Sequence, residues 1–99
     1  MALIPFDDRD GFIWMDGKLV DWRSAKIHVI THGLHYGSAV FEGERAYNGR
    51  IFKSREHSER LIKSAALIGM DITMTPEEID QAKMETLKAN NLTDAYLRP

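Results

Sequence analysis

The chain has 99 residues, 43% of them apolar and 28% charged, which is the size and balance of one globular domain able to bury a modest core. Its net charge of −2 leaves no basic surplus to hold a nucleic-acid backbone by counterion release, and the absence of cysteine removes disulfides, thiolate catalysis and sulfur-ligated metals. The acidic start MALIPFDDRDGF has neither the basic region nor the apolar stretch of a secretory leader, and no apolar run approaches the roughly 20 residues of a membrane span, so a cytoplasmic protein without membrane contact is expected.

Residues 1–11 read as a mobile start. Phe12 to Met15 then meets Asp16-Gly17 and continues as Lys18 to Asp21, a hairpin signal, because both central positions of a type I′ turn need positive φ. Lys26 to Ile30 alternates like a half-buried strand, and the glycine-rich run Gly33 to Gly37 breaks it with a turn or a single helical turn. Ala39 to Tyr47 is again extended, Asn48-Gly49 repeats the type I′ signal, and Arg50 to Lys53 returns as its partner. A first helix starts at Ser54 as N-cap, carries Leu61, Ala65 and Ile68 inward and closes at Gly69. Thr75-Pro76-Glu77-Glu78 combines a cap, proline at the first helical position and a capping-box glutamate, and it opens a second helix that buries Ile79, Ala82 and Leu87. Ala95 begins a last strand that has nothing after Pro99 to pair it or turn it back, so residues 12–99 read as one unit cut within a strand. The expected class is α+β: an antiparallel sheet of two hairpins plus a C-terminal strand, flanked by two helices.

The stretch Thr31 to Asn48, THGLHYGSAVFEGERAYN, is dense in glycine, histidine and aromatic residues and reads as a pocket wall. Strand parity puts Phe41, Gly43, Arg45 and Tyr47 on one face and Glu42, Glu44 and Ala46 on the other. That separates Arg45 from the acids and sets it among aromatics, with glycine leaving room for a ligand. On the first helix Arg60 follows His57 by three residues and leaves from the flank of the apolar stripe. Its guanidinium could take a phosphate through two parallel hydrogen bonds, or simply pair with Glu56 or Glu59 at the surface; spacing alone leaves both open. The four histidines, His28, His32, His35 and His57, show no metal-ligand spacing and are read as serving backbone groups at the bend, with no metal expected. Phe12, Trp14 and Trp22 read as sheet core. Neither a Walker-type loop nor GxGxxG nor a GxSxG elbow is present.

The run HGLHYGSAVFEGERAY, His32 to Tyr47, together with REHSERL, Arg55 to Leu61, and the ending NNLTDAYLRP, closely resembles the N-terminal part of bacterial branched-chain amino-acid aminotransferases. The opening FIWMDGKLVDW is similar to that family's first hairpin, so the resemblance covers nearly everything from Phe12 onward. It implies the small domain of a fold-type IV enzyme that uses pyridoxal 5'-phosphate. It further implies that Arg60 holds the cofactor's phosphate, that Phe41, Gly43, Arg45 and Arg98 line the substrate side, and that Tyr36 reaches the pocket of a neighbouring subunit in a homo-oligomer. The implied reaction exchanges an amino group between leucine, isoleucine or valine and 2-oxoglutarate, with glutamate as donor. The resemblance places the lysine that anchors the cofactor beyond position 99, and Lys18, Lys26, Lys53, Lys63, Lys83 and Lys88 match no such position. The chain alone is therefore expected to be inactive. Two other readings stand beside this one: a module that binds a small anion without chemistry, and a docking domain whose apolar face meets a partner. Within the same fold, D-amino-acid transaminases and aminodeoxychorismate lyases share the hairpins and the HxxRL helix but differ at Phe41 to Tyr47.

Overall fold

A computed structural model of the chain describes residues 3–99. The first hairpin pairs β1, Phe12–Met15, with β2, Lys18–Asp21, and its two-residue loop has Asp16 at φ 51° and Gly17 at φ 85°, as a type I′ turn demands. A short 3-10 turn, Trp22–Ser24, follows. The second hairpin joins β3, Glu44–Tyr47, to β4, Arg50–Ile51, through Asn48 and Gly49, both with positive φ. The last strand, β5, Ala95–Leu97, lies antiparallel against the other edge of β3, with Glu44 opposite Leu97 and Arg45 opposite Tyr96. The first hairpin and the C-terminal strand fall where expected, whereas the second hairpin is shorter than the expected Ala39 to Tyr47 and Arg50 to Lys53, and the strands form two sheets, β1-β2 and β4-β3-β5, rather than one.

Between the hairpins lies α1, His32–Tyr36, so of the turn or single helical turn expected at the glycine-rich bend it is the helical turn that forms; Gly37 ends it in the left-handed conformation at φ 68°. The strand expected over Lys26 to Ile30 does not form. Its alternating residues have no sheet edge to join, Ile27, Val29 and Ile30 stay exposed, and the segment turns at His28 to Thr31, where the Thr31 amide donates to the His28 carbonyl.

The long helices are α2, Ser54–Leu67, and α3, Pro76–Ala89, which pack on each other, and α3 also packs on the three-stranded sheet. Ser54 is not the N-cap of α2: Lys53 holds that place in a left-handed conformation with no side-chain cap, and Ser54 turns its hydroxyl to Asp80 on α3 instead. At the other end, Gly69 and Met70 donate back to Ala66 and Ala65, the paired bonds of a Schellman closure, which leaves Ile68 about half exposed rather than in the core. The capping box of α3 is complete in both directions, Thr75 with Glu78. Leu61, Ala65, Ile79 and Ala82 bury the helix contact, and Ala46, Leu87 and Leu97 form the core beneath the sheet.

The first hairpin contributes nothing fully buried. Phe12 is exposed and Trp14 and Trp22 are half-buried, which corrects their reading as sheet core. A polar side chain fastens the hairpin instead: Asn90, at the end of α3, accepts from the Phe12 amide at 2.8 Å and donates to the Phe12 carbonyl at 3.0 Å. The expected mobile start falls partly outside the described residues. From Phe6 to Asp10 it lies along the 3-10 turn, where the Trp22 indole donates to the Phe6 carbonyl and Arg23 pairs with Asp8 and Asp10.

Candidate functional site

The alternation along residues 41–47 builds the site. Phe41, Gly43, Arg45 and Tyr47 face outward, while Glu42, Glu44 and Ala46 are buried, so the parity read from the sequence holds at every position. On the outward face, the Arg98 guanidinium lies 4.3 Å from the Phe41 ring centroid and 5.4 Å from that of Tyr96, and it donates to the Tyr96 hydroxyl at 3.0 Å. Gly43 is required beneath this group, because a Cβ there would collide with the Tyr96 hydroxyl. Arg45 stands opposite Tyr96 on β3, and its side chain makes no ion pair among the described residues. Phe41, Gly43, Arg45 and Arg98 thus come together as one wall. Tyr96, which the sequence pattern does not single out, joins them as the ring between the two arginines.

The inward face carries anchors. Glu42 receives the side edge of the Arg60 guanidinium, with Nε donating to Oε2 at 2.9 Å and Nη2 to Oε1 at 2.7 Å, and His57 Nδ1 donates to the same Oε1 at 2.6 Å. His57 and Arg60 stand one turn apart on α2, so one carboxylate serves both. Neither Glu56 nor Glu59 takes the arginine. The Arg60 hydrogen bonds, aided by those of His57 and opposed by burial, hold the Glu42 carboxyl down at about 2, and the same pair raises the Arg60 pKa. Glu42 uses only one edge of the guanidinium: Nη2 also lies 3.4 Å from His57 Nδ1, which as a donor to Glu42 cannot accept from it, so Nη1 and the second Nη2 proton have no acceptor among the described residues, on a side chain 65% exposed.

Deeper still, Lys83 of α3 donates to Glu44 Oε1 at 2.7 Å and to the Ser54 carbonyl at 3.0 Å, with Glu44 Oε2 left without a partner among the described residues. Beside them Asp80 accepts from Ser54, Ser58 and Arg55 of α2; burial pushes its carboxyl up, but these bonds and the Lys83 charge outweigh it and hold it at about 2. Sequence reasoning missed both Glu42 and Lys83 as anchors. The available signal was parity: acids on the face opposite Phe41 and Arg45 had to find cations under the sheet.

Tyr36 stands apart from this group. It is 76% exposed on α1, with its ring 4.5 Å from that of His32. His28 and His35 do serve the bend, His28 accepting from the Ile30 amide and His35 meeting the Val29 carbonyl, while His32 pairs with Ser38. Two open grooves border the first hairpin, one lined by Phe6, Trp22 and Arg23 and one by Trp14, Met74 and Gln81; neither includes Arg45, Arg60 or Arg98. Among the described residues no helix is long and apolar enough to cross a membrane.

Comparison with known proteins finds relatives of this chain both by sequence and by fold. The pattern of the family "Amino-transferase class IV" matches residues 39–99, more than half of the chain, and the chain belongs to that family. Within it, the chain is 48% identical over its whole length to a probable branched-chain-amino-acid aminotransferase of Rickettsia felis, of which it covers 34%. The solved branched-chain aminotransferase of Thermoproteus uzoniensis, with norvaline, superimposes with a TM-score of 0.85 at 43% identity, over 91% of this chain and 32% of that one. The T.th. branched-chain aminotransferase, complexed with N-(5'-phosphopyridoxyl)-L-glutamate, does so with a TM-score of 0.85 at 40% identity, over 91% and 32%. The chain therefore spans about a third of the length of these relatives.

Proposed function

We propose that the chain is the small-domain side of the active site of a pyridoxal-phosphate-dependent branched-chain aminotransferase, exchanging an amino group between leucine, isoleucine or valine and 2-oxoglutarate. The observation that carries this reading is the guanidinium of Arg60, fixed along one edge by Glu42 and open along the other. A planar fork held in this way has the donor set a phosphate takes through two parallel bonds, so the residues fit the cofactor's phosphate. The ligand of the T.th. complex joins such a phosphate to glutamate, which supports the same pairing of ligands here. When bound, the cofactor supplies the electron-withdrawing ring through which amino groups move.

The wall accounts for a dual preference. Phe41 and the Tyr96 ring seated over Gly43 offer apolar surface to an aliphatic side chain, whereas Arg45, without an ion pair among the described residues, and the stacked Arg98 offer charge to the distal carboxylate of glutamate. The base that must anchor the cofactor and shuttle its proton is supplied from beyond these residues, and the 99 residues alone carry out no transamination. The buried ammonium of Lys83, committed to Glu44 and the Ser54 carbonyl, supports this. Exposed Ile27, Val29, Ile30 and Leu34 beside the exposed Tyr36 support a homo-oligomer in which this segment meets a neighbouring subunit.

Steady-state kinetics of Arg45→Ala in the full-length protein tests the reading. The KM for glutamate should rise about tenfold, the loss of one charge-assisted contact, while that for leucine stays within about twofold. An equal loss for both substrates would remove Arg45 from the carboxylate end of the wall.

A further inference from the structure

We infer that Glu42 is a positioning residue for the phosphate grip of Arg60, and that it registers the substrate wall to that grip. The inference rests on the reading of Arg60 as the phosphate ligand. Glu42 lies between Phe41 and Gly43 in the segment leading into β3, but it is buried where they are exposed, with a side chain only 4% exposed. Its amide donates to the Pro99 carbonyl at 3.0 Å, next to Arg98, and its carboxylate holds both His57 and Arg60 of α2. One residue therefore ties together the wall segment ahead of β3, the C-terminal segment bearing Arg98 and the helix bearing Arg60.

The geometry favours aiming over mere pairing. An arginine on a helix surface samples many rotamers, and a carboxylate taking Nε and Nη2 together fixes the plane of the guanidinium as well as its place. Nη1 and the remaining Nη2 proton then point away from Glu42 as a second, parallel fork. His57, donating to Oε1 from the preceding turn, holds the carboxylate in the plane that Arg60 needs. The opposing effect is repulsion, since a carboxylate one guanidinium away from a phosphate disfavours the dianion. The two effects have opposite signs, so a single isosteric substitution separates them.

The test compares binding of pyridoxal 5'-phosphate and of pyridoxal, which lacks the phosphate, to the full-length apoprotein with Glu42→Gln and Arg60→Ala. Glu42→Gln is expected to weaken pyridoxal 5'-phosphate roughly tenfold, at the lower end of what outer partners of a ligand contribute, and to leave pyridoxal within about twofold. With Arg60 already removed, Glu42→Gln should cost nothing further. Tighter binding of pyridoxal 5'-phosphate by Glu42→Gln would mean that Glu42 only repels, and equal loss of both ligands would mean a general structural role; either result overturns the inference. Arg60→Ala that loses the phosphate preference while Glu42→Gln keeps it overturns the inference alone, whereas Arg60→Ala that keeps the preference overturns the reading of Arg60 as well. A measurement on the unaltered protein guards against misfolded variants. The Arg60 Nε proton, followed by NMR, should stay protected from exchange both without and with pyridoxal 5'-phosphate. Loss of that protection on binding would show that Glu42 has let go, and the inference would fail.

Discussion

Replacing Lys83 by methionine should cost more stability than any surface change in this chain, and the reason lies in what is left behind. The ammonium is 5% exposed and the Glu44 carboxylate it meets at 2.7 Å is 0% exposed, with Oε2 already lacking a partner among the described residues. Lys83→Met keeps the volume but strands Glu44 in the interior, and breaking a buried pair in this way costs about 3–5 kcal/mol. A domain of this size has only about 5–15 kcal/mol in total, so roughly a fifth of it or more is at stake. Removing both charges together, Glu44→Leu with Lys83→Met, should restore stability to within about 1 kcal/mol of the parent, because the desolvation penalty disappears along with the attraction. Urea unfolding of the parent, the two single variants and the double variant, followed by circular dichroism at pH 7, gives the coupling directly. A Lys83→Met cost below about 1 kcal/mol, or a double variant as weak as the sum of the singles, would refute the argument that this pair is held by mutual need.

Gly43→Ala should push the Tyr96 ring aside and break its bond to Arg98 while changing the unfolding midpoint little, since the obstructing atom is the far end of an exposed side chain. The expected signature is a KM for leucine raised by about tenfold with normal urea stability, and an unchanged KM would mean the ring does not shape the wall. Acid should also destabilise the chain over a defined window. Glu42 and Asp80 are held at about 2 against ordinary values of 4.5 and 3.8, so their contribution is full above about pH 5 and is lost as the pH falls through 4 towards 2. Together they are worth about 3–4 kcal/mol after the exposed Arg60 is discounted for solvent screening. Tm measured from pH 7 to pH 2 should fall mainly below pH 4.5, less steeply in Glu42→Gln, and a flat profile down to pH 2.5 would contradict this.

Local chemistry explains which parts of the fold were legible. Asp16-Gly17 and Asn48-Gly49 announce their turns because few other residue pairs accept two positive φ values, and Thr75 to Glu78 announces α3 because a capping box needs only residues three apart. Ser54 misled because serine caps helices as a rule, yet here its hydroxyl has a better acceptor in Asp80, 26 residues away. Lys26 to Ile30 misled because alternation says a strand could form without saying that an edge is there to receive it. The same limit applies to the site. Parity placed Phe41, Gly43 and Arg45 together, and the family resemblance supplied Arg98 and Arg60, but the partners of Glu42 and Glu44 lie 18 and 39 residues on and no local pattern reports them.

The seven residues from Phe41 to Tyr47 carry two instructions interleaved at single-residue pitch, the odd positions addressing what lies outside and the even ones the framework. Substitutions can therefore alter one set without touching the other. Insertion or deletion has no such freedom: adding one residue just ahead of Glu44 would turn that acid to solvent and Arg45 to the core, exchanging both messages from there on.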